Sequence, residues 1–553
     1  MDESLSITGS KPNVHFALEN IARAFLRNLD GVALDLARIA AFAFVADTWV
    51  SRGGKADWRA KGWIRDMHLV IPVTDPDHWR SPAVLDALRA ALEFASGDRW
   101  SFAFTSSSAD DQRSRVLQAG EDESFDCVML FSGGADSLTA IVEALAEGRR
   151  PALVSHEGTG VPGGRRTVLW DALKRAFPDR EIARMSASVH RIGGEATERT
   201  RRTRSFLFTA IAAASAIAAN VTDVRLADNG VVSLNLPINA QLAAAQATRS
   251  THPKYIRLMN ELLAATFPGR TPVVRNPLWD RSRTEVLERL ASLGYGALLA
   301  DSVSCGSWSR LPKPYRHCGT CSQCIDRRFA ALAAGLEAHD PADRYRFDIL
   351  NDSLPGGEPR IMAISYFRLA RELERISASE LVDRFAELAD ALTPGRTQVE
   401  LEAYTRMLQA HGASVLGVAT RWIGKHANEL ARGDRDGETL FGLAGLFAKP
   451  AAGEFRHSED FRSVTYQGRE FTFTESQSIV VRRLHEAKRK GLPGLSTTEL
   501  LDGFEAGTVK LSEVFKRSPA WETLIQRDTN RRSGLYRLAI DNLSIVPNGT
   551  RRL

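Results

Sequence analysis

Two groups of residues in this chain have the types and spacing to do chemistry. The first is Ser132-Gly133-Gly134-Ala135-Asp136-Ser137. An apolar run from Cys127 to Phe131 precedes it and reads as a buried strand. Leu138, Ile141, Val142 and Leu145 follow at helical spacing, with Gly148 as the stop. The two glycines let the backbone turn tightly and approach a ligand with no Cβ in the way. Such a loop offers its free N–H groups, at the positive end of the helix it opens, to an anion. No Gly-Lys-Ser/Thr follows, so this is not a Walker loop. A strand-to-helix turn that merely needs glycine is the plainer reading, and the agreement of strand, hexapeptide and helix weighs against it. The second group is Cys305, Cys318, Cys321 and Cys324, spaced C-x12-C-x2-C-x2-C. The tight turns, one eased by Gly319, aim successive sulfurs at one point, and four thiolates make a closed, structural Zn²⁺ site. An iron–sulfur cluster and redox thiols are the lesser alternatives. Cys127, inside the strand, reads as a core residue, and His317 as a surface or outer-shell neighbour of the cysteines.

The elements that must position these groups fall into four stretches of the 553-residue chain, a length that predicts about three or four domains. Residues 1–120 predict a small α/β domain. Its helices lie over Ile21 to Leu26, Leu34 to Val45 and Val84 to Phe94, and its strands over Trp63 to Val73 and Trp100 to Phe104. Residues 121–340 alternate strand and helix. Strands are expected at Pro151 to Ser155, Val224 to Ala227 and Thr271 to Asn276. Helices are expected at Thr167 to Ala176, Phe206 to Ala219 (capped by Ser205) and Arg283 to Leu293. That rhythm predicts an α/β fold with a doubly wound parallel sheet and its ligand at the carboxyl ends of the strands. Residues 341–452 predict a helical domain. Residues 453–553 resemble a winged helix, with a hairpin over Val464 to Phe473, a helix over Thr474 to Lys488 and a capping box at Ser496-Thr497-Thr498-Glu499. Its basic residues Lys488, Arg489, Lys490, Lys510, Lys516, Arg517, Arg531 and Arg532 would suit nucleic-acid phosphates, but a protein-docking surface with solvated charges is the preferred reading.

Composition excludes little. Charged residues at 25% and hydrophobic ones at 44% are those of a globular protein with a sizeable core, and a net charge of +5 does not by itself announce nucleic acid. The polar start lacks a signal-peptide pattern, and Phe206 to Ala219 is too short to span a bilayer. Five cysteines, four of them bunched, suit a reduced setting, so a cytoplasmic protein with no membrane partner is expected.

Ser-Gly-Gly-x-Asp-Ser resembles the PP-loop of ATP pyrophosphatases. With the cysteine knuckle at the domain's other end, the stretch from about 125 to 335 is similar to 7-cyano-7-deazaguanine synthase, the QueC family. The similarity also takes in Ser205-Phe206-Leu207-Phe208-Thr209-Ala210, Asn276-Pro277-Leu278-Trp279 and Cys318-Gly319-Thr320-Cys321-Ser322-Gln323-Cys324-Ile325-Asp326-Arg327. The resemblance implies ATP, Mg²⁺ and Zn²⁺ as cofactors. It also implies adenylylation of 7-carboxy-7-deazaguanine, followed by attack of an amine on the activated acid. The chain departs from the family in Ala135, where glutamine is usual, and in a longer gap between Cys305 and Cys318. It departs most in its flanking domains. Extended members of this plan resemble those of bacterial anti-phage systems, the Qat and type IV CBASS kinds. There the acceptor is implied to be a partner protein's N-terminal amine. The free-base synthase and a tRNA-modifying PP-loop enzyme are the alternatives.

The residues expected to act follow from both lines. Ser132, Gly133, Gly134, Asp136 and Ser137 hold phosphates, with Asp136, Ser137 and Arg204 in catalytic roles. His156, just past the second strand, is expected near the nucleotide or is an ordinary loop histidine. Arg204 and Ser205 meet ATP or the substrate carboxylate, or form a solvated basic turn. Asn229, Gly230 and Asn239 could read base edges, and Arg327 is either a substrate contact or a helix-surface charge.

Overall fold

The computed structural model describes residues 5–539 except 6–12, 19–30, 53–63, 108–124, 158–163, 194–197, 199, 239–248, 447–454, 459, 467–468, 491, 493, 505–509, 517, 522 and 528–533. The expected helix at Ile21 to Leu26, Asn239, and the basic residues Arg517, Arg531 and Arg532 lie outside the described residues. The chain divides into two compact units, Met1–Ala427 and Asn428–Leu553.

In chain order the first unit contains β1 (Val14–Ala17), α1 (Gly31–Trp49), β2 (Asp66–Val73), α2 (Pro82–Ser96), β3 (Arg99–Ser106), β4 (Cys127–Leu130), α3 (Ala135–Ala146), β5 (Pro151–Glu157), α4 (Gly164–Ala176), β6 (Ala183–Arg191), α5 (Arg204–Ala219), β7 (Asp223–Arg225), α6 (Gly230–Leu234), α7 (Pro253–Thr266), β8 (Val273–Arg275), α8 (Arg283–Ser292), α9 (Ser322–Ala333), α10 (Glu358–Leu373) and α11 (Thr397–Lys425). Six strands form one sheet in the order β1-β6-β5-β4-β7-β8. All neighbours in it are parallel except β1, which runs antiparallel to β6. Between β4 and β7 the winding reverses, and a parallel sheet opens a crevice at that point. The strand at the reversal is the one that carries the Ser-Gly-Gly loop.

Both faces of the sheet are covered, which is why β4 reads as continuously apolar. On one face Cys127 and Met129 pack with Leu138, Ile141 and Leu145 of α3 and with Leu287 and Leu290 of α8. On the other, Val128 packs with Ile211 of α5, Ile39 of α1 and Met259 of α7. The alanine-rich α5 is buried between sheet and α1, so its small side chains bring helices close. The first 120 residues therefore supply a helix and an edge strand to the central layers. Their remaining strands, β2 and β3, pair with each other in parallel. Helices α10 and α11 also belong to this unit, and Leu373, Met407 and Leu408 form a core with Leu234 of α6.

The second unit has an antiparallel sheet of β9 (Arg456–His457), β10 (Ser463–Tyr466) and β11 (Arg469–Thr472), then α12 (Glu475–Arg489) and a pair β12 (Ile525–Arg527) and β13 (Tyr536–Leu538). The predicted hairpin forms, and Ser496 and Glu499 make the expected reciprocal capping box. The helices at Thr497–Leu500 and Leu511–Val514 are single turns. Among the described residues of the chain, no helix is long and apolar enough to cross a membrane.

Candidate functional site

Gly133 takes φ +82, a left-handed conformation that side chains resist, and so turns the chain sharply from β4 into α3. Its carbonyl accepts from Val303 N–H at 2.8 Å, which ties the loop to the segment before the cysteines. Ser132 Oγ lies 2.9 Å from Ser137 Oγ and accepts from Gly134 N–H at 3.2 Å, so the two hydroxyls brace the turn. Both serines line a cavity of about 460 Å³. Asp136 sits behind the loop, buried. Its Oδ2 accepts from Asn229 N–H at 3.1 Å, Asn229 Nδ2 at 2.9 Å and Arg283 Nη2 at 3.1 Å. Its Oδ1 is buried with no hydrogen-bond partner among the described residues.

The cavity's other wall comes from β5, α5 and the end of β7. His156 lines it, with its ring 5.3 Å from that of Phe208, and burial pushes its pKa down to about 4, so it is neutral at pH 7. Its Nε2 lies 3.0 Å from Val189 O. Arg204 lines the same cavity and is exposed, and its guanidinium has no hydrogen-bond or ion-pair partner among the described residues; it lies 5.8 Å from the Phe208 ring. Helix α5 begins at Arg204 with Thr203 as its N-cap. Ser205 is therefore not the cap the sequence predicts; it sits in the first turn, lines the cavity, and its Oγ donates to Ser250 Oγ at 3.2 Å.

What aims Arg204 is a buried ion cluster contributed by the first 120 residues. Asp47 Oδ2 accepts from both the N–H and the hydroxyl of Thr203 at 3.0 Å. Asp47 is itself held by Arg65, which also bonds Asp98 at 2.6 Å, and Asp98 takes Arg52 at 2.5 Å. Fully buried carboxylates survive only when paired in this way. Asp228, at the end of β7, also lines the cavity and accepts from Thr251 Oγ1 at 3.0 Å. Burial, with Asp136 nearby, pushes its carboxyl up to about 6, against the opposite pull of Thr251, Arg283 and Arg204.

The four cysteine sulfurs lie within 4.8 Å of one another and could hold a metal ion. Cys318 and Cys324 Sγ are 3.7 Å apart. A tetrahedral Zn–S bond of about 2.3 Å gives an edge of about 3.8 Å, which the Cys318–Cys324 pair matches, so the donor set suits a zinc ion. Gly319 takes φ +82, and a Cβ there would lie 1.9 Å from Phe347 O, so no other residue fits this turn. Cys305 also lines the cavity, beside Ser132 and Ser137 of the glycine loop. His317 is not at the surface: it is buried and stacked on Tyr345 at 4.7 Å.

Arg327 and Asn229 are engaged inside the protein. Arg327 pairs with Asp340 at 2.9 Å and donates to Ser302 Oγ at 2.8 Å and Leu299 O at 2.9 Å, and it is 1% exposed. Neither a helix-surface charge nor an open contact, it braces the segment whose Ser304 faces Ala135 N–H at 3.5 Å. Asn229 caps α6, accepting from Val232 N–H at 3.1 Å, while its Nδ2 holds Asp136. Sequence reasoning missed Arg283, Asp47 and Asp228. For Asp228 the signal existed, a carboxylate directly past a strand end, whereas Asp47 and Arg283 reach the site across more than 140 residues of chain. Searched against family models and against curated proteins, the chain matches none.

Proposed function

We propose that this chain is an ATP-dependent, AMP- and pyrophosphate-forming ligase. In this reading it adenylylates 7-carboxy-7-deazaguanine and joins it to an amine, the N-terminus of a partner protein in anti-phage defence being the favoured acceptor. The observation that carries the reading is the Ser132–Ser137 loop at the sheet's reversal point, opening on a cavity that also exposes Arg204, whose guanidinium is unpaired among the described residues. The loop's N–H groups and hydroxyls suit the pyrophosphate end of ATP, and Arg204 suits the charge that builds on the α-phosphate or the acid. His156 with Phe208 offers an uncharged aromatic wall for a base. Mg²⁺ would neutralise phosphate charge, and Asp136 Oδ1, unpartnered among the described residues, is an oxygen beside the loop that would suit it.

Zinc at Cys305, Cys318, Cys321 and Cys324 would be structural, since four sulfurs leave no open position. Cys127, fully buried and with its thiol pushed up to about 11 by burial, offers no thiolate to a tRNA-modifying reaction. The free-base synthase remains the second reading, and product analysis separates them. With 7-carboxy-7-deazaguanine, ATP, Mg²⁺ and ammonium, mass spectrometry should show ATP converted to AMP without free nitrile. Free amide or nitrile as the main product would favour the synthase. Asp136→Ala is a poor probe of the site, because it also strips a partner from buried Arg283; Ser137→Ala is the cleaner one.

A further inference from the structure

We propose that Asp228 is the base that takes the proton from the attacking amine, an inference that rests on the ligase reading above. The carboxylate lines the cavity shared by Ser132, Ser137 and Arg204. A relay of hydroxyls holds it. Thr251 Oγ1 donates to Asp228 Oδ2 at 3.0 Å and lies 2.8 Å from Ser233 Oγ. Asn276 Nδ2 donates to Ser233 Oγ at 3.0 Å and to the Asp228 carbonyl at 2.7 Å. Oδ2 is thus fixed, and Oδ1 has no hydrogen-bond partner among the described residues. The charged groups that bear on Asp228 are Asp136, Arg283 and Arg204, and none makes an ion pair with it.

The other candidate bases are unsuitable. Asp136 does not line the cavity, and its Oδ2 is already occupied by Arg283 and Asn229. Neutral His156 has its Nε2 against Val189 backbone, and its depressed basicity makes it a poor acceptor. Asp228 combines ionisation at neutral pH with a basicity raised by burial, the condition under which a general base works best. In the step assigned to it, the amine nitrogen forms a bond to the acyl carbon. The acyl C–O bond to the α-phosphate breaks, AMP leaves, and the N–H proton passes to Asp228 Oδ1.

The test compares two nucleophiles with the full-length chain, 7-carboxy-7-deazaguanine and ATP. Hydroxylamine, unprotonated at neutral pH and strongly nucleophilic, intercepts an acyl adenylate with little help. Glycinamide, a mimic of a protein N-terminus, needs its proton removed. Asp228→Asn should keep hydroxamate formation within about threefold and lose glycinamide conjugation by about 10²–10⁴-fold, the usual worth of a general base. Thr251→Val should fall in the same direction by less, and circular dichroism checks the fold of both. Equal loss with both nucleophiles would place Asp228 in the activation step and overturn the base role, as would an unchanged Asp228→Asn. A wild type that forms hydroxamate and never an amide would contradict a base built into this chain. A wild type that forms no hydroxamate overturns the ligase reading itself.

Discussion

Arg204 and Arg327 carry the same guanidinium and serve opposite ends. Arg204 stands in the cavity wall with no partner among the described residues, against the Phe208 ring. Arg327 lies in the layer behind the wall, shared out among Asp340, Ser302 and Leu299. Asp228 of the wall and Asp340 behind it differ in the same way: Asp228 makes no ion pair among the described residues, whereas Asp340 is paired with Arg327. In the proposed reading the wall's charges await a ligand, while those behind it are already paired and keep the wall in place. A buried charge that loses its partner is costly, whereas an open one is free to meet a ligand.

Substitutions should divide along the same line, stability behind the wall and activity on it. The largest effect is expected at the cysteines. Chelation, or Cys321→Ser, should remove one zinc per chain and several kcal/mol of folding energy, on the order of 5 kcal/mol or more for a structural site, read by metal analysis and thermal unfolding. Next, Arg327→Ala should cost about 3–5 kcal/mol, because it leaves buried Asp340 without its ion-pair partner and, among the described residues, with only the Tyr345 hydroxyl on its carboxylate. Denaturant unfolding that matches wild type would erase the distinction between the two layers. On the wall, Arg204→Ala should leave stability within about 0.5 kcal/mol. It should lower ATP-dependent turnover by about 10²–10³-fold, the usual loss when one charge-stabilising donor is removed; a variant that unfolds instead would move Arg204 to the inner layer.

The smallest effect is a pH dependence at His156. Its folded pKa, about 4, lies below the ordinary value of 6.5, so the unfolded chain binds the extra proton between these pH values. Stability from this group is therefore full above about pH 6.5 and falls as pH drops toward 4. At pH 5 the loss is at most about 2 kcal/mol, and His156→Gln should narrow the gap between melting temperatures at pH 7 and pH 5.

The parts of the site legible in sequence are those written locally. The Ser-Gly-Gly loop and the cysteine spacing each fit within about twenty residues and carry their geometry with them. The doubly wound rhythm of strands and helices was legible too, down to the crevice at the strand ends. Strand β6 escaped, although Met185, Ala187 and Val189 alternate inward. The buried placements of Arg327 and Asn229 were not legible, because a lone Arg or Asn near a loop looks alike whether its partners lie in the cavity or behind it. Asp47 shows the reason: its contact with Thr203 spans 156 residues, and nothing local marks it.

In the proposed reading the wall's work is activation of an acid at the α-phosphate of ATP. It is tested most directly by following ATP on incubation with Mg²⁺, with and without 7-carboxy-7-deazaguanine, beside the Ser137→Ala variant. AMP and pyrophosphate should form in equal amounts, only when the base is present, and be lost in the variant. Cleavage to ADP and phosphate, or cleavage indifferent to the base, would contradict it.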